Sequence, residues 1–172
     1  MLEAYERHPD AFTSSATERA ALPLAWWEAR VTMEPRPPEM VFGAFQEERL
    51  VGAAGLLFES REKTRHKATL YGMYVAPEAR RGGLGRQLVL TVLEHARVRE
   101  GVTVVQLAVT DINAAAQALY QRCGFVPFGV EPFAVAVGSR FVSKIHMWCD
   151  LVSDSSSPST LENARGLPLS EP

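Results

Sequence analysis

The chain has 172 residues, 18 Lys+Arg against 20 Asp+Glu, two cysteines, and is 47% hydrophobic and 22% charged. That length carries one domain with its own core, and a net charge of −2 gives neither nucleic acid nor an anionic membrane an electrostatic footprint. Two cysteines and four scattered histidines fit neither a disulfide framework nor a zinc site, MLEAYERHPD lacks a signal peptide's apolar region, and the longest apolar-rich run, Val51 to Phe58, is too short to span a bilayer. A soluble, cytoplasmic, metal-free protein is expected.

The opening 33 residues read as helical, with Pro9 and Pro23 at or near helix starts. Glu34 to Glu39 (EPRPPE) forbids helix and forces an extended link. Met40 to Phe45 and Leu50 to Phe58 read as a hairpin across Gln46 to Arg49, and the charged Glu59 to Lys67 as a solvated turn. Ala68 to Val75, rich in β-formers, reads as a third strand. After the glycine-rich segment Arg80 to Gly85, a helix is expected from Leu84 to Arg99, with Leu88, Val92 and Ala96 continuing one apolar stripe and Gly101 ending it. Val102 to Val109 is a valine-rich strand. Strand, glycine loop, helix, strand is a βαβ unit, so the two strands should lie parallel. A second helix runs from about Asn113 to Arg122, capped by Asp111 or Asn113. Phe125 to Gly129 and Ile145 to Leu151 read as the last strands, with Phe133 to Phe141 either a further strand or an ordered loop. Residues 1–151 form the domain. Residues 152–172, with six serines and three prolines from Ser153 onward, read as a disordered tail.

Glycines between a strand and a helix expose backbone N–H groups, and the helix N-terminus adds about half a positive charge. Gly82, Gly83 and Gly85 let an anion approach the main chain, and Arg80, Arg81 and Arg86 add cations around it. The alternative is a tight turn in which the glycines serve chain geometry. No Gly-Lys-Ser/Thr follows, which excludes a P-loop. Leu88 and the missing acid over Thr103 to Val109 argue against a dinucleotide fingerprint. Asn113 and Tyr120 are two helical turns apart, about 10 Å along one face, so one extended ligand could touch both.

Arg80-Arg81-Gly82-Gly83-Leu84-Gly85 resembles the Arg/Gln-x-x-Gly-x-Gly/Ala signature of the GNAT-type N-acetyltransferases. Asn113-Ala114-Ala115-Ala116-Gln117-Ala118-Leu119-Tyr120 followed by Cys123-Gly124-Phe125 is similar to that family's second motif, and His8 to Phe12 looks like a turn of some members. The resemblance implies an α/β (α+β) fold: a mixed, mostly antiparallel sheet with a parallel splayed pair at about 68–76 and 102–109, flanked by helices. It also implies that the family's usual first strand is missing from this chain, or lies upstream of Met1. It further implies acetyl transfer from acetyl-CoA to an amine of a small molecule, peptide or protein, with no metal. Members often dimerise, so homodimerisation stays open. Arg81 to Arg86 would hold the pyrophosphate, so that Arg81, Gly82, Gly83, Leu84, Gly85 and Arg86 join Arg80 as cofactor residues. Met73, Tyr74 and Val75 would meet the pantetheine arm along the strand, and the Asn113 side chain would touch the same arm.

Tyr120 matches the family's general acid, and a strand N–H, best that of Val75, would polarise the oxyanion. The strand before the loop carries no Asp or Glu for a base. Tyr71, Glu39, Glu59 and His146 qualify by chemistry alone, and none is assigned. Cys123 reads as a small buried filler rather than a nucleophile. Trp26 and Trp27 read either as core or as walls of an acceptor site. Two other readings stay open: a non-catalytic acyl-CoA sensor of the same fold, and an unrelated nucleotide-binding βαβ domain.

Overall fold

Proline placement cuts the opening segment into short helices. In the computed structural model, which describes residues 2–31 and 34–152, helix α1 (Leu2–Arg7) precedes a 3-10 turn over Pro9–Ala11 that starts on Pro9. Helix α2 (Ala16–Ala20) begins with a capping box in which Ser15 and Glu18 satisfy each other's backbone N–H groups. Pro23 caps α3 (Leu24–Glu28). The tail expected beyond Val152 lies outside the described residues.

Strands β1 (Glu39–Gln46) and β2 (Arg49–Phe58) form the expected hairpin, closed by a two-residue turn with Glu47 at φ 53°. Strand β3 (Lys67–Val75) leads through the glycine loop into α4 (Leu84–Arg97), then β4 (Val104–Thr110) and α5 (Ala114–Arg122). The helix ends two residues before its predicted limit, and Gly101 turns the chain at φ +81°. Asn113, not Asp111, caps α5, its Oδ1 accepting from the Ala116 N–H at 3.2 Å.

The end of the chain is a hairpin of two long strands, β5 (Val126–Val137) and β6 (Arg140–Asp150). Phe133 to Phe141 forms neither a further strand nor a loop but the closing end of that hairpin: Phe133 to Val137 end β5, Gly138 and Ser139 turn, and Arg140 and Phe141 begin β6. Two register breaks, at Pro127/Gly129 and Glu131/Val135, with Phe133 at φ 55°, obscure the alternation that would have marked β5 as one strand.

The six strands run β1-β2-β3-β4-β6-β5, antiparallel except for β3 beside β4. Among the described residues β1 is the first strand, and it lies at a sheet edge. One face buries Leu56, Leu70, Val105, Leu107 and Met147 against Leu88, Val89, Val92, Leu93 and Ala96 of α4, and Tyr120 of α5 joins this core. Leu93 is 1% exposed. The opposite face carries the residues that alternate with these, among them Tyr71, Ala108, Lys144 and His146. The N-terminal segment lies over it, tied by Asp10 to Arg140 at 2.5 Å and by Lys144 Nζ donating to Thr13 Oγ1 at 2.6 Å.

Candidate functional site

Strands β3 and β4 pair only at Lys67–Thr69 with Val104–Gln106. Beyond these three residues they part, because β3 takes a register break against Ala53/Gly55 where Gly72 adopts φ +59°. A groove of about 1130 Å³ opens between Leu70–Val75 and Leu107–Thr110 and passes from α5 to the N-terminal segment. The Ala76 N–H donates to the Val51 carbonyl in β2 at 2.8 Å. Strand alternation therefore turns the main-chain groups of Val75 away from β2, onto the parted edge. There the Val75 carbonyl accepts from Arg80 Nε at 2.9 Å, which leaves its N–H as the donor facing the groove.

The glycine loop closes one end. Arg81 and Gly83 both hold left-handed backbone, at φ 71° and +78°. Gly83 caps α4 without a side-chain hydrogen bond, so the first N–H groups of a 14-residue helix lack partners. A Cβ at Gly82 or Gly83 would meet nothing within 4 Å. An uncapped helix end, open space and the Arg81 and Arg86 side chains at the groove fit a pyrophosphate. Gly85 differs: its Cβ would lie 3.2 Å from Leu119 and 3.5 Å from Met73, so its bareness lets α4 sit against α5 and β3. Leu84 packs on the small cluster of Val51, Ala76 and Ala79. Arg80, which also contacts His8 Nε2 at 3.0 Å, braces β3 to the N-terminal segment.

Met73, Tyr74, Val75, Arg80, Arg81, Gly83, Gly85, Arg86, Asn113 and Tyr120 all line the groove, while Gly82 and Leu84 stand beside it. Asn113 and Tyr120 share the α5 face, as their spacing predicts. Burial, and secondarily the neighbouring Cys123, pushes the Tyr120 phenol well above its ordinary range and keeps it protonated. Thr110 belongs to no motif in the sequence. Its Oγ1 is buried without a partner among the described residues, as is the Tyr74 hydroxyl, and both residues line the groove. The available signal is a hydroxyl closing a valine-rich strand three residues before Asn113.

Tyr71 lines the groove and reaches across β2 over Gly55, where a Cβ would collide with its ring. Its hydroxyl donates to Glu39, which also pairs with Arg30 at 3.1 Å. Burial first, then that hydrogen bond, raises the Tyr71 phenol above its usual range. Arg30 stacks on Trp26, whose ring meets Trp27 edge-on at 4.9 Å. The tryptophans serve this network and lie outside the groove lining. Glu59 also lies outside it. Cys123 and Cys149 are free and buried, and burial raises both thiols. Among the described residues no cluster of three or more His, Cys, Asp or Glu could hold a metal ion, and no helix is long and apolar enough to cross a membrane.

A family model for the acetyltransferase (GNAT) family matches residues 1–125. N-acetyltransferase 8 of Homo sapiens is 39% identical over 93 residues, 54% of this chain, and the match spans 40% of that protein's length. The ribosomal-protein-alanine N-acetyltransferase structure from Brucella melitensis superposes with a TM-score of 0.69 at 29% identity, covering 87% of this chain and 91% of that one. The Salmonella typhimurium protein yncA, solved with its cofactor acetyl-CoA, gives a TM-score of 0.70 at 23% identity, covering 92% and 90%, a likeness of fold.

Proposed function

The chain belongs to the acetyltransferase (GNAT) family, and on that footing we propose that it transfers an acetyl group from acetyl-CoA to an amine of a small molecule, peptide or protein, with Tyr120 as general acid. The observation that carries the proposal is the parted strand pair, with an uncapped helix end at one extremity and Asn113 and Tyr120 along one wall.

Acetyl-CoA supplies an activated thioester. The N–H groups of Gly83 and the first turn of α4, with Arg81 and Arg86, bind the pyrophosphate end. The open edge of β3 at Met73 and Val75 and the amide of Asn113 align the pantetheine arm. With Oδ1 engaged in the cap, Asn113 offers its Nδ2 donors. The Val75 N–H, fixed by the Arg80 brace on the same residue's carbonyl, donates to the thioester oxygen as charge develops there. Tyr120 donates to the departing sulfur. Desolvation keeps its phenol protonated and ready to donate, and a hydrogen bond from it stabilises the developing thiolate.

Peptide and small amines both suit a groove open toward the N-terminal segment. The Brucella melitensis relative, which acts on a ribosomal-protein alanine, favours testing peptide N-termini first. The protein acts as a soluble cytoplasmic enzyme, and homodimerisation would cover the free edge of β1. The test is release of free thiol from acetyl-CoA across a panel of peptides and small amines, with acetyl-CoA binding measured by calorimetry. Amine-dependent release supports the proposal. Tight binding without release from any amine would make the chain an acyl-CoA sensor.

A further inference from the structure

We propose that His146, oriented by Glu131, is the general base that takes the proton from the attacking amine. This rests on the acetyl-transfer reading above and assigns a residue it leaves open.

The groove passes through the sheet between β3 and β4, and Tyr120 stands on the α4/α5 side of it. The amine's proton therefore needs an acceptor at the opposite mouth. There Ala108 lines the groove with only a methyl group. Its cross-strand partner on β6 is His146. Residues so paired hold their Cβ atoms about 4.5–5.5 Å apart on one face, so the imidazole stands one strand beyond the groove lining, with its ring beside Phe128 and Glu131 of β5.

Of the other titratable groups of that face, the Tyr74 hydroxyl is unpartnered among the described residues, but a phenol oxygen is a poorer proton acceptor than an imidazole nitrogen, and the rest are engaged. Asp10 is paired with Arg140 at 2.5 Å, and His8 Nε2 with Arg80 at 3.0 Å. The Tyr71 hydroxyl donates to Glu39, whose carboxylate also holds Arg30. Lys144, two residues along β6, donates to Thr13. His146 differs. Its Nε2 lies 2.9 Å from Glu131 Oε2 on β5, and its Nδ1 has no partner among the described residues. A carboxylate that accepts from Nε2–H fixes the tautomer whose Nδ1 lone pair is free, and stabilises the cation formed when that lone pair takes a proton. The ring is half-exposed, so the proton of an amine at that mouth would pass to it through a water.

The step balances. As the amine nitrogen attacks the acetyl carbon, the C–N bond forms and the C–S bond breaks. The nitrogen's proton goes to Nδ1 of His146, the Tyr120 proton goes to sulfur, and exchange with water returns both side chains to their starting states. Glu131 acts through His146 and is a positioning residue.

The experiment compares wild type, His146→Ala and Glu131→Gln on the best amine of the panel, with acetyl-CoA affinity measured separately. His146→Ala should lower kcat about 100-fold or more with acetyl-CoA affinity unchanged, and added imidazole should restore part of the loss. Glu131→Gln should lower kcat by a smaller factor, without imidazole rescue. In ¹⁵N spectra of the free protein, neutral His146 should carry its proton on Nε2. Wild-type turnover by His146→Ala, a loss confined to the amine's KM, or a proton on Nδ1 would each overturn the assignment. If wild type turns over no amine at all, the acetyl-transfer reading fails instead.

Discussion

Replacing Gly83 by alanine separates a phosphate cradle from a plain turn. Gly83 sits at φ +78°, where an L-residue costs about 1–2 kcal/mol. At about 2–4 °C per kcal/mol for a chain of this size, the melting temperature should fall by about 2–8 °C. The added methyl meets no protein atom within 4 Å, so any larger effect on ligand comes from the space it fills. One charge-assisted N–H bond to phosphate is worth about 1.5–3 kcal/mol, so acetyl-CoA affinity should fall about 10- to 100-fold. Gly82→Ala is the control. Gly82 has open space and no left-handed φ, so stability should stay within about 0.5 kcal/mol, which isolates the backbone cost of the left-handed φ at Gly83. Calorimetry with acetyl-CoA and with acetyl-pantetheine, which lacks the pyrophosphate, gives the decisive contrast. Gly83→Ala should weaken only the first. Equal affinities of Gly83→Ala and wild type for acetyl-CoA, or equal weakening of both ligands, would refute the cradle.

Other consequences are open to measurement. Leu93→Ala, at a position 1% exposed beneath the sheet, should cost about 2.7–5 kcal/mol in chemical denaturation; a loss below about 1 kcal/mol would contradict the packing described. Gly55→Ala pushes a methyl into the Tyr71 ring and so disturbs its bond to Glu39, with an expected cost of about 1–3 kcal/mol. The Gly55→Ala/Tyr71→Ala double variant should then lose less than the sum of its parts. The raised phenols set an alkaline limit. Tyr71 and Tyr120 bind their protons more tightly folded than unfolded. Their stability contribution is therefore complete below about pH 10 and declines as pH rises above it. Melting curves from about pH 8 to about pH 11 should fall less steeply for Tyr71→Phe than for wild type, and parallel curves would contradict the burial described for Tyr71.

The parts of the fold governed by local chemistry were legible in the sequence. The apolar stripe of α4, the glycine loop and the Asn113-to-Tyr120 spacing depend on neighbours within a few residues, and each stands where its pattern predicts. The parallel pair was legible as a pair, but its parting after three residues depends on a bulge at Gly72 that no composition marks. Strand β5 was hidden because Pro127, Gly129 and the turn at Phe133 interrupt its alternation, while its pairing with β6 is a property of the hairpin. Side-chain partnerships across the sheet were the least legible. Arg80 reads as one of three loop cations, yet it reaches back to Val75 and across to His8. Glu39 and Tyr71 are 32 residues apart, and Glu131 and His146 are 15. Each pair meets only because strand register brings it together. Gly85 shows the same limit from the other side, since a glycine that suits a phosphate loop in sequence serves helix packing in space.

The most direct test of the whole account is the Tyr120→Phe variant, assayed for thiol release from acetyl-CoA with a turned-over amine and for acetyl-CoA binding by calorimetry. The phenol is buried in the α4/α5 core and its ring remains in the variant, so fold and affinity should persist while kcat falls about 100-fold or more. Turnover at the wild-type rate would remove Tyr120 as the acid and contradict the assignment of this groove as the place where acetyl transfer occurs.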